Sequence, residues 1–572
     1  MKPFVWKIGG EAGFGIMTTG LAFSKIAAPL GYYVFDYSEY PSLIRGGHNT
    51  YEVVVSDKEI ATSLQPVDLL ICLNKTTFEL HRYRLNENSM VIYDPDEFQP
   101  DGSYVKLPVS FSQIKKETNA QQVMLNTVAM GATIAILGGN LEEYFVMIEK
   151  EFARKGQEVV DYNKKFAQRG YDEIMSKNKD RVISFLVPQN KPANIVMSGN
   201  EAFSLGAVIG DCRFYAAYPM TPTSNVLSQL ASWAKTTKMV VRHSEDEVAV
   251  VNSAIGASHA GARSAVGTSG GGFALMVEAV SLAGITELPL VLFLGMRSGP
   301  ATGMPTWTEQ GDLLFAVNAG HGEFPKIVLA PGDVEEMIEL TAKAFDLADI
   351  YQEPVIVVSD KLVCESHKSM VRDHLDRFIA QYTPRRGKTV VQATAPYLRY
   401  KVTDDGISER LIPGQPGIFY QSNSYEHTED SHTTESMTER VKQVDKRARK
   451  INTYLARDFS LPAVYGDPNA LIKLVSWGPN KGAVVAAQEL LKEKGITTSY
   501  IHFTHIHPLD REKVAQLLSQ QGRYILIENN SGAQFGKLIL METGIELKEK
   551  YTKYDGRPIY PEEIVTYIEK SI

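Results

Sequence analysis

The sequence predicts an α/β protein built from three α/β domains with a long irregular segment between the last two. Three observations carry this expectation. Short apolar runs rich in β-branched residues alternate with helix-period segments, the pattern of a mostly parallel sheet covered by helices. Glycine-rich turns at 9–15 and 267–272 follow two such runs, where α/β folds place ligands. Proline-bracketed Pro188-Gln189-Asn190-Lys191-Pro192 and a loss of periodicity from about 370 to 465 mark boundaries. The expected parts are domains 1–187, 193–369 and 466–572, with 370–465 as the connection.

In the first part, Phe4–Ile8 reads as a strand, Ile16–Leu30 as a helix and Tyr32–Phe35 as a second strand. Further strands are expected at Tyr51–Val55, Leu69–Leu73 and Val91–Tyr93. The second part has strands at Phe214–Tyr218, Met239–Val241, Leu288–Gly295 and Pro354–Ser359. The connection carries a late helix, Thr438–Leu455, and a connection of that length is expected to be functional or interfacial. The last part has a strand at Leu471–Trp477, a helix at Gly482–Lys494, and strands at Tyr500–Phe503 and Tyr524–Glu528.

Hydrophobic content of 44% and charged content of 22% are ordinary for a globular protein, and a net charge of −8 argues against a nucleic-acid surface. Cys72, Cys212 and Cys364 lie far apart. They form no CxxC pair and suggest a reducing, cytoplasmic setting. Residues 1–7 do not read as a signal peptide, and no run of about 18 apolar residues is present.

The densest chemistry lies at His243-Ser244-Glu245-Asp246-Glu247, which opens a helix of small residues, followed by Gly267-Thr268-Ser269-Gly270-Gly271-Gly272. A buried acid with a glycine turn beside it is how thiamine diphosphate enzymes hold the cofactor's aminopyrimidine ring. Glu247 is the favoured acid, with Thr268 and Gly270 in the turn. Glu245 and Asp246 are rivals that would equally favour a helix N-terminus. The strand-turn Tyr215-Ala216-Ala217-Tyr218-Pro219-Met220-Thr221-Pro222-Thr223-Ser224 holds Thr221 between two prolines. Tyr218, Pro219 and Thr221 are candidate substrate contacts, and Thr223 or Ser224 is a candidate helix cap. Arg297 ends an apolar strand before Ser298-Gly299-Pro300-Ala301-Thr302-Gly303, placed either to bind an anion or to make a structural salt bridge. Trp307 reads as a packing or gating aromatic.

The first glycine loop contributes Gly10, Gly13 and Gly15 between strand and helix. It suits a phosphate-bearing ligand, a dinucleotide with Asp36 as the ribose contact, or a structural turn. Ser42, Arg45 and Gly46, in Tyr40-Pro41-Ser42-Leu43-Ile44-Arg45-Gly46-Gly47-His48-Asn49, suit a phosphate or a surface turn. His502, His505 and His507 lack cysteine or carboxylate neighbours and read as loop or interface residues. A nucleotide-binding scaffold without catalysis is the alternative class.

Taken together, GGEAGFG with SLIRGGHN, YPMTPTS, HSEDEVAVVNSAIGASHAGARSAVGTSGGGF, RSGPATGMPTWTEQGDL, DDGIS and DKRARK resemble the α subunit of the 2-oxoacid:ferredoxin oxidoreductases with a γ-type domain fused in front. The 2-oxoglutarate type is the nearest likeness, over nearly the whole length. The resemblance implies three domains: a γ-type domain on the coenzyme A side, a thiamine diphosphate pyrimidine-binding domain and a transketolase C-terminal-like domain. It makes Glu247 the activating glutamate and Thr221 a contact of substrate carboxylate and cofactor. Arg297 becomes a carboxylate binder, and Gly10, Gly13, Gly15, Ser42, Arg45 and Gly46 the coenzyme A side. It implies oxidative decarboxylation of a 2-oxoacid to acyl-CoA and CO2 with reduction of ferredoxin, or the reverse. Two departures stand out: Trp307 replaces an often basic residue, and Ile407-Ser408-Glu409-Arg410 replaces GISPR. No GDG motif is present, so the Mg2+–diphosphate site and a 4Fe–4S cluster are expected on a partner β subunit, in an α2β2 heterotetramer. No metal ligands are assigned to this chain.

Overall fold

The computed structural model describes residues 2–42, 46–118 and 121–571. Contacts divide the chain into two units, one of Met1–Met197, Ser366–Leu375 and Tyr560–Glu562, the other of Ser198–Glu365, Asp376–Ile559 and Glu563–Ile572.

The first unit is organised on an eight-stranded sheet in the order Val105–Pro108, Met90–Tyr93, Leu69–Cys72, Phe4–Glu11, His48–Ser56, Tyr33–Glu39, His367–Val371, Asn194–Ser198. The first four run parallel. His48–Ser56 is antiparallel to both Phe4–Glu11 and Tyr33–Glu39, so this sheet is mixed where a mostly parallel one was expected. The cause is connectivity. Tyr33–Glu39 and His48–Ser56 are joined by a short loop, which forces antiparallel pairing, whereas a parallel pair needs a crossover. Alternation sends Trp6 and Ile8 into a core with Phe23, Tyr51 and Val53. The other face holds buried Lys7, 3.3 Å from Glu52, which also pairs with Arg84. Both faces being covered, the strand reads as a continuous buried run.

The second unit contains two sheets. One has the order His505–His507, Ile327–Leu329, Pro354–Asp360, Leu290–Met296, Ser264–Ser269, Phe214–Ala217, Val240–His243 and is parallel except at the His505–His507 edge. The other has the order Ala463–Gly466, Thr498–Phe503, Ile472–Trp477, Arg523–Glu528, Glu549–Thr552. Leu292, Val328, Trp477 and Phe503 belong to one apolar core, which joins the two sheets.

The stretch 376–465 is short of regular structure but firmly anchored. Buried Lys446 and Lys450 lie 2.6 and 2.8 Å from the carboxylate of buried Glu287. Arg410 reaches Asp349 at 3.1 Å, and Arg263 reaches the same carboxylate at 2.7 Å. Removing one member of such a cluster leaves a buried charge uncompensated, which costs about 3–5 kcal/mol.

Candidate active site

Parallel neighbours end at the same side of a sheet, so the turns after Phe214–Ala217, Val240–His243, Ser264–Ser269 and Leu290–Met296 gather at one edge. Register places Gly267 opposite Ala217 and Ser269 opposite Gly295. The turn at Thr221 is held from three sides. Arg297 Nη1 donates to the Thr221 carbonyl at 3.0 Å, and Asn200 Nδ2 donates to the Pro222 carbonyl at 2.8 Å. A Cβ on Gly295 would lie 2.6 Å from Thr223 Cγ2, so only glycine admits the turn there. The Thr223 hydroxyl donates to the Met220 carbonyl at 3.2 Å and makes no helix cap. It closes the turn instead.

The three acids at 245–247 separate cleanly. Glu245 is exposed. Asp246 is the N-cap of helix Glu247–His259, its Oδ1 accepting from the Ala249 amide at 2.7 Å. Glu247, the first residue of that helix, is 4% exposed, and its Oε1 is buried without a hydrogen-bond partner. An unmatched buried carboxylate oxygen costs free energy unless a ligand donor meets it. A Cβ on Gly272 would lie 2.7 Å from Glu247 Cγ and closer still to Glu247 Oε1 and Thr268 Oγ1. Gly272 is therefore the residue that leaves room for the acid. Gly270 makes room for Asp312, whose Cγ lies 3.0 Å from where its Cβ would be. Gly271 is exposed with open space beside it. An orphan acid beside a glycine cradle fits the aminopyrimidine edge of thiamine diphosphate.

Arg297 is half-buried, and burial lowers its guanidinium pKa against the pull of Asp312. Burial raises the Asp312 carboxyl, opposed by Arg297. Burial also raises Glu309, with Asp312 adding to the effect, and pushes buried Asp360 up to about 6. Arg297 and Asp312 are thus opposite charges that burial disfavours and their mutual attraction supports. Tyr218 is 40% exposed and Pro219 is exposed, lying at the rim. Sequence reasoning missed Asp312 and Asp360, and it placed Gly272 in the glycine turn without showing that this glycine is the one against Glu247. Asp312 lies inside the TEQGDL run, but nothing local shows that it fills the space of Gly270.

In the first unit, the glycine loop leaves Phe4–Glu11 and enters helix Ile16–Ala27 through Gly15, which is left-handed (φ +72°) and has no side-chain capping bond. Gly10 is crowded, since its Cβ would lie 2.9 Å from Phe14. Gly13 (φ +96°) and Gly46 (φ +74°) face open space. The Ala12 amide donates to the Gly47 carbonyl at 3.4 Å, bringing the two glycine loops together. Ser42 is exposed in the same loop; Arg45 lies outside the described residues. Asp36 is no ribose contact. It is buried, accepting from Tyr51 at 2.7 Å, from Ser24 at 3.2 Å and from the His367 amide at 2.7 Å.

The three late histidines sit on strands rather than in a loop. His502 bonds Tyr500 at 2.9 Å and Glu336 at 3.0 Å, while His505 bonds Tyr454 at 2.6 Å and Lys343 at 3.2 Å. Burial lowers His505 and His507 to about 3 and 4. Glu336 is the carboxylate partner that the local sequence could not show.

Two family models that match the chain define its class, an oxidoreductase chain with a thiamine diphosphate-binding domain. The family model described as pyruvate flavodoxin/ferredoxin oxidoreductase, thiamine diphosphate-binding, matches residues 205–446. The model described as pyruvate ferredoxin/flavodoxin oxidoreductase matches residues 5–173. The chain is 30% identical to the 2-oxoacid:ferredoxin oxidoreductase subunit alpha of a Sulfolobus species, over 99% of this chain and 96% of that protein. It is 31% identical to the alpha subunit of 2-oxoacid:ferredoxin oxidoreductase 2 of Aeropyrum pernix, over 98% and 97%. Its fold matches the structure of 2-oxoglutarate:ferredoxin oxidoreductase from Magnetococcus marinus with 2-oxoglutarate, coenzyme A and succinyl-CoA bound, with a TM-score of 0.92, 29% identity and coverage of 100% and 99%. The chain belongs to the α subunits of the 2-oxoacid:ferredoxin oxidoreductases.

Proposed function

We propose that this α subunit converts 2-oxoglutarate, coenzyme A and oxidised ferredoxin to succinyl-CoA, CO2 and reduced ferredoxin, with Glu247 as its catalytic acid. The observation that carries this is the buried, unpartnered Glu247 Oε1 facing Gly272. When bound, thiamine diphosphate supplies the nucleophilic carbon and the electron sink for decarboxylation. Glu247 holds a proton against the aminopyrimidine nitrogen, and Thr268 and Gly270 to Gly272 shape the space beside it. Thr221 and Arg297 position the substrate carboxylate, with Tyr218 and Pro219 at the rim. The 9–15 loop, Ser42, Arg45 and Gly46 receive the phosphates of coenzyme A. The likeness to the 2-oxoglutarate enzyme favours a dicarboxylate. Trp307 favours the second reading, an apolar pocket for pyruvate, a branched-chain or an aryl 2-oxoacid.

A partner β subunit brings the Mg2+–diphosphate site and the 4Fe–4S cluster, in an α2β2 heterotetramer that reduces ferredoxin. Cys72, Cys212 and Cys364 are all buried and separate, which supports placing the cluster elsewhere. No helix among the described residues is long and apolar enough to cross a membrane, which is compatible with a cytoplasmic enzyme. The test is Glu247→Gln in the assembled complex. Loss of 2-oxoacid-dependent viologen reduction with the complex intact is expected. Near-normal activity there, with loss in Glu245→Gln, would move the role upstream.

A further inference from the structure

A cavity of about 480 Å3 that shares no residue with the candidate active site lies against helix Val334–Tyr351 in the second unit. Leu340, Phe378 and Tyr382 form part of its wall, and Thr383, Arg385 and Ser460 are exposed, so the cavity opens to solvent. Half-buried Lys343 lines it beside buried His505. Lys343 Nζ lies 3.2 Å from the Asp458 carbonyl, 3.3 Å from Ser460 Oγ and 3.2 Å from His505 Nε2. The other ring nitrogen, His505 Nδ1, lies 2.6 Å from the Tyr454 hydroxyl.

The hydrogens available to these groups decide the state of the lysine. Burial, and then Lys343, lower the His505 pKa to about 3, so the ring is neutral and carries one N–H. Burial pushes the Tyr454 hydroxyl well above its ordinary range, so it keeps its hydrogen. An ammonium at Lys343 can only donate. It would force the imidazole hydrogen onto Nδ1, facing Tyr454, and the hydrogen of that buried hydroxyl would have no acceptor among the described residues. With an uncharged amine every group is matched. Tyr454 donates to Nδ1, Nε2–H donates to the amine lone pair, and the two amine hydrogens meet the Asp458 carbonyl and Ser460 Oγ. The matched arrangement is the cheaper one, because a buried hydrogen without an acceptor costs free energy. Burial acts in the same direction, lowering the Lys343 pKa, opposed by Asp458 and reinforced by Arg385.

We infer that Lys343 is a covalent modification site whose side-chain amine takes an acyl group from acyl-CoA thioesters. The inference rests on the proposed function for its natural donor, succinyl-CoA. An exposed lysine is an amine for only about one part in a thousand at pH about 7.4, whereas an uncharged lysine in a solvent-open cavity is a standing nucleophile. Its lone pair is held by a single neutral N–H, which the flexible four-carbon stem can swing away from. The amine nitrogen attacks the thioester carbonyl, and the new C–N bond replaces the C–S bond. Coenzyme A leaves as the thiolate and takes up the proton that the nitrogen sheds, so no oxidant or reductant is needed. The amide nitrogen has no lone pair to offer, so His505 Nε2–H loses its acceptor and the tie from the helix to Asp458 and Ser460 weakens.

The test incubates the complex with its β subunit in succinyl-CoA and follows each lysine over time by mass spectrometry of the digested chain. Lys343 should gain the succinyl mass about tenfold faster or more than exposed Lys548. Ser460→Asp, a change at an exposed position, sets a carboxylate against Nζ and favours the ammonium, so the Lys343 rate should fall about tenfold. Ser460→Ala should leave that rate close to wild type. An unlabelled Lys343, or one labelled no faster than Lys548, overturns the inference and leaves Lys343 as a structural tie. A Ser460→Asp rate equal to wild type overturns it too. A second incubation replaces succinyl-CoA with 2-oxoglutarate, coenzyme A and oxidised viologen, and should place the same mass on Lys343. Failure to reduce viologen there overturns the proposed function alone, while label from added succinyl-CoA still upholds the modification site.

Discussion

Replacing Gly272 with alanine adds one methyl group at the point where the site has least room. The new Cβ would lie 2.7 Å from Glu247 Cγ, against an ordinary contact starting at 3.4 Å, with Glu247 Oε1 and Thr268 Oγ1 closer still. The acid must therefore retreat by about 0.7 Å or more, and overpacking of this kind costs roughly 1–3 kcal/mol. Gly272 sits in the first turn of helix Gly270–Ile285, and Glu247 opens helix Glu247–His259. Both backbones are held by helix hydrogen bonds, so the side chain yields first. A misplacement approaching 1 Å at a reacting group lowers turnover by about 100-fold. Gly272→Ala in the assembled complex is thus expected to lose about two orders of magnitude in viologen reduction, with weakened thiamine diphosphate retention and only a modest change in thermal unfolding. If Gly272→Ala retains activity within about twofold of wild type, the placement of Glu247 against this glycine is not what orients the acid, and the catalytic reading of the pair fails.

Asp246→Ala removes an N-cap and should cost about 1 kcal/mol in urea unfolding; activity should fall far less than in Glu247→Gln, and an equal fall would join the two acids in one role. Arg45→Ala should raise KM for coenzyme A about 10- to 100-fold with little effect on the first decarboxylation; an unchanged coenzyme A dependence removes the first unit from that role. Burial pushes the Glu353 carboxyl up to about 8, reinforced by Glu287 and opposed by Lys450 and Lys326. A folded pKa above the ordinary value gives stability that is complete at acid pH and lost as pH rises through about 8. Glu353→Gln should therefore raise the apparent unfolding temperature more at pH about 9 than at pH about 5; a pH-independent effect would contradict this.

Elements governed by local hydrogen bonding were legible in the sequence. The helix expected at Thr438–Leu455 is Met437–Arg457, and the strand expected at Leu471–Trp477 is Ile472–Trp477. The helix expected at Ile16–Leu30 ends as a helix at Ala27, followed by a tight turn over Ala28–Leu30. Such elements depend on side-chain period and on turn residues, both of which are written within a dozen neighbours. The placing of Glu247 beside the glycine turn was legible for the same reason, because an acid at the head of a small-residue helix and that turn lie close together in the chain.

Long-range pairing was not legible. His367–Val371 adds to the sheet begun at Phe4, pairing with Tyr33–Glu39, and no periodicity announces a partner more than 300 residues away. The basic run around Lys446 looks like a solvated helix face, yet Lys446 is buried on Glu287, 159 residues distant. Charge pattern alone cannot distinguish a wet lysine from a paired one, because the difference lies in which carboxylate the fold brings up. Likewise Asp312 beside Gly270, and Arg557 on Trp307, join residues 42 and 250 positions apart. By itself the sequence determined the α/β class and the strand-to-glycine turns, and it narrowed the candidate acids to three neighbours at the head of one helix, since each rests on short-range geometry. The tertiary structure alone decided which of three adjacent acids is buried, what each glycine makes room for and which cation stands beside the Thr221 turn, because burial and desolvation arise only when distant segments exclude water together.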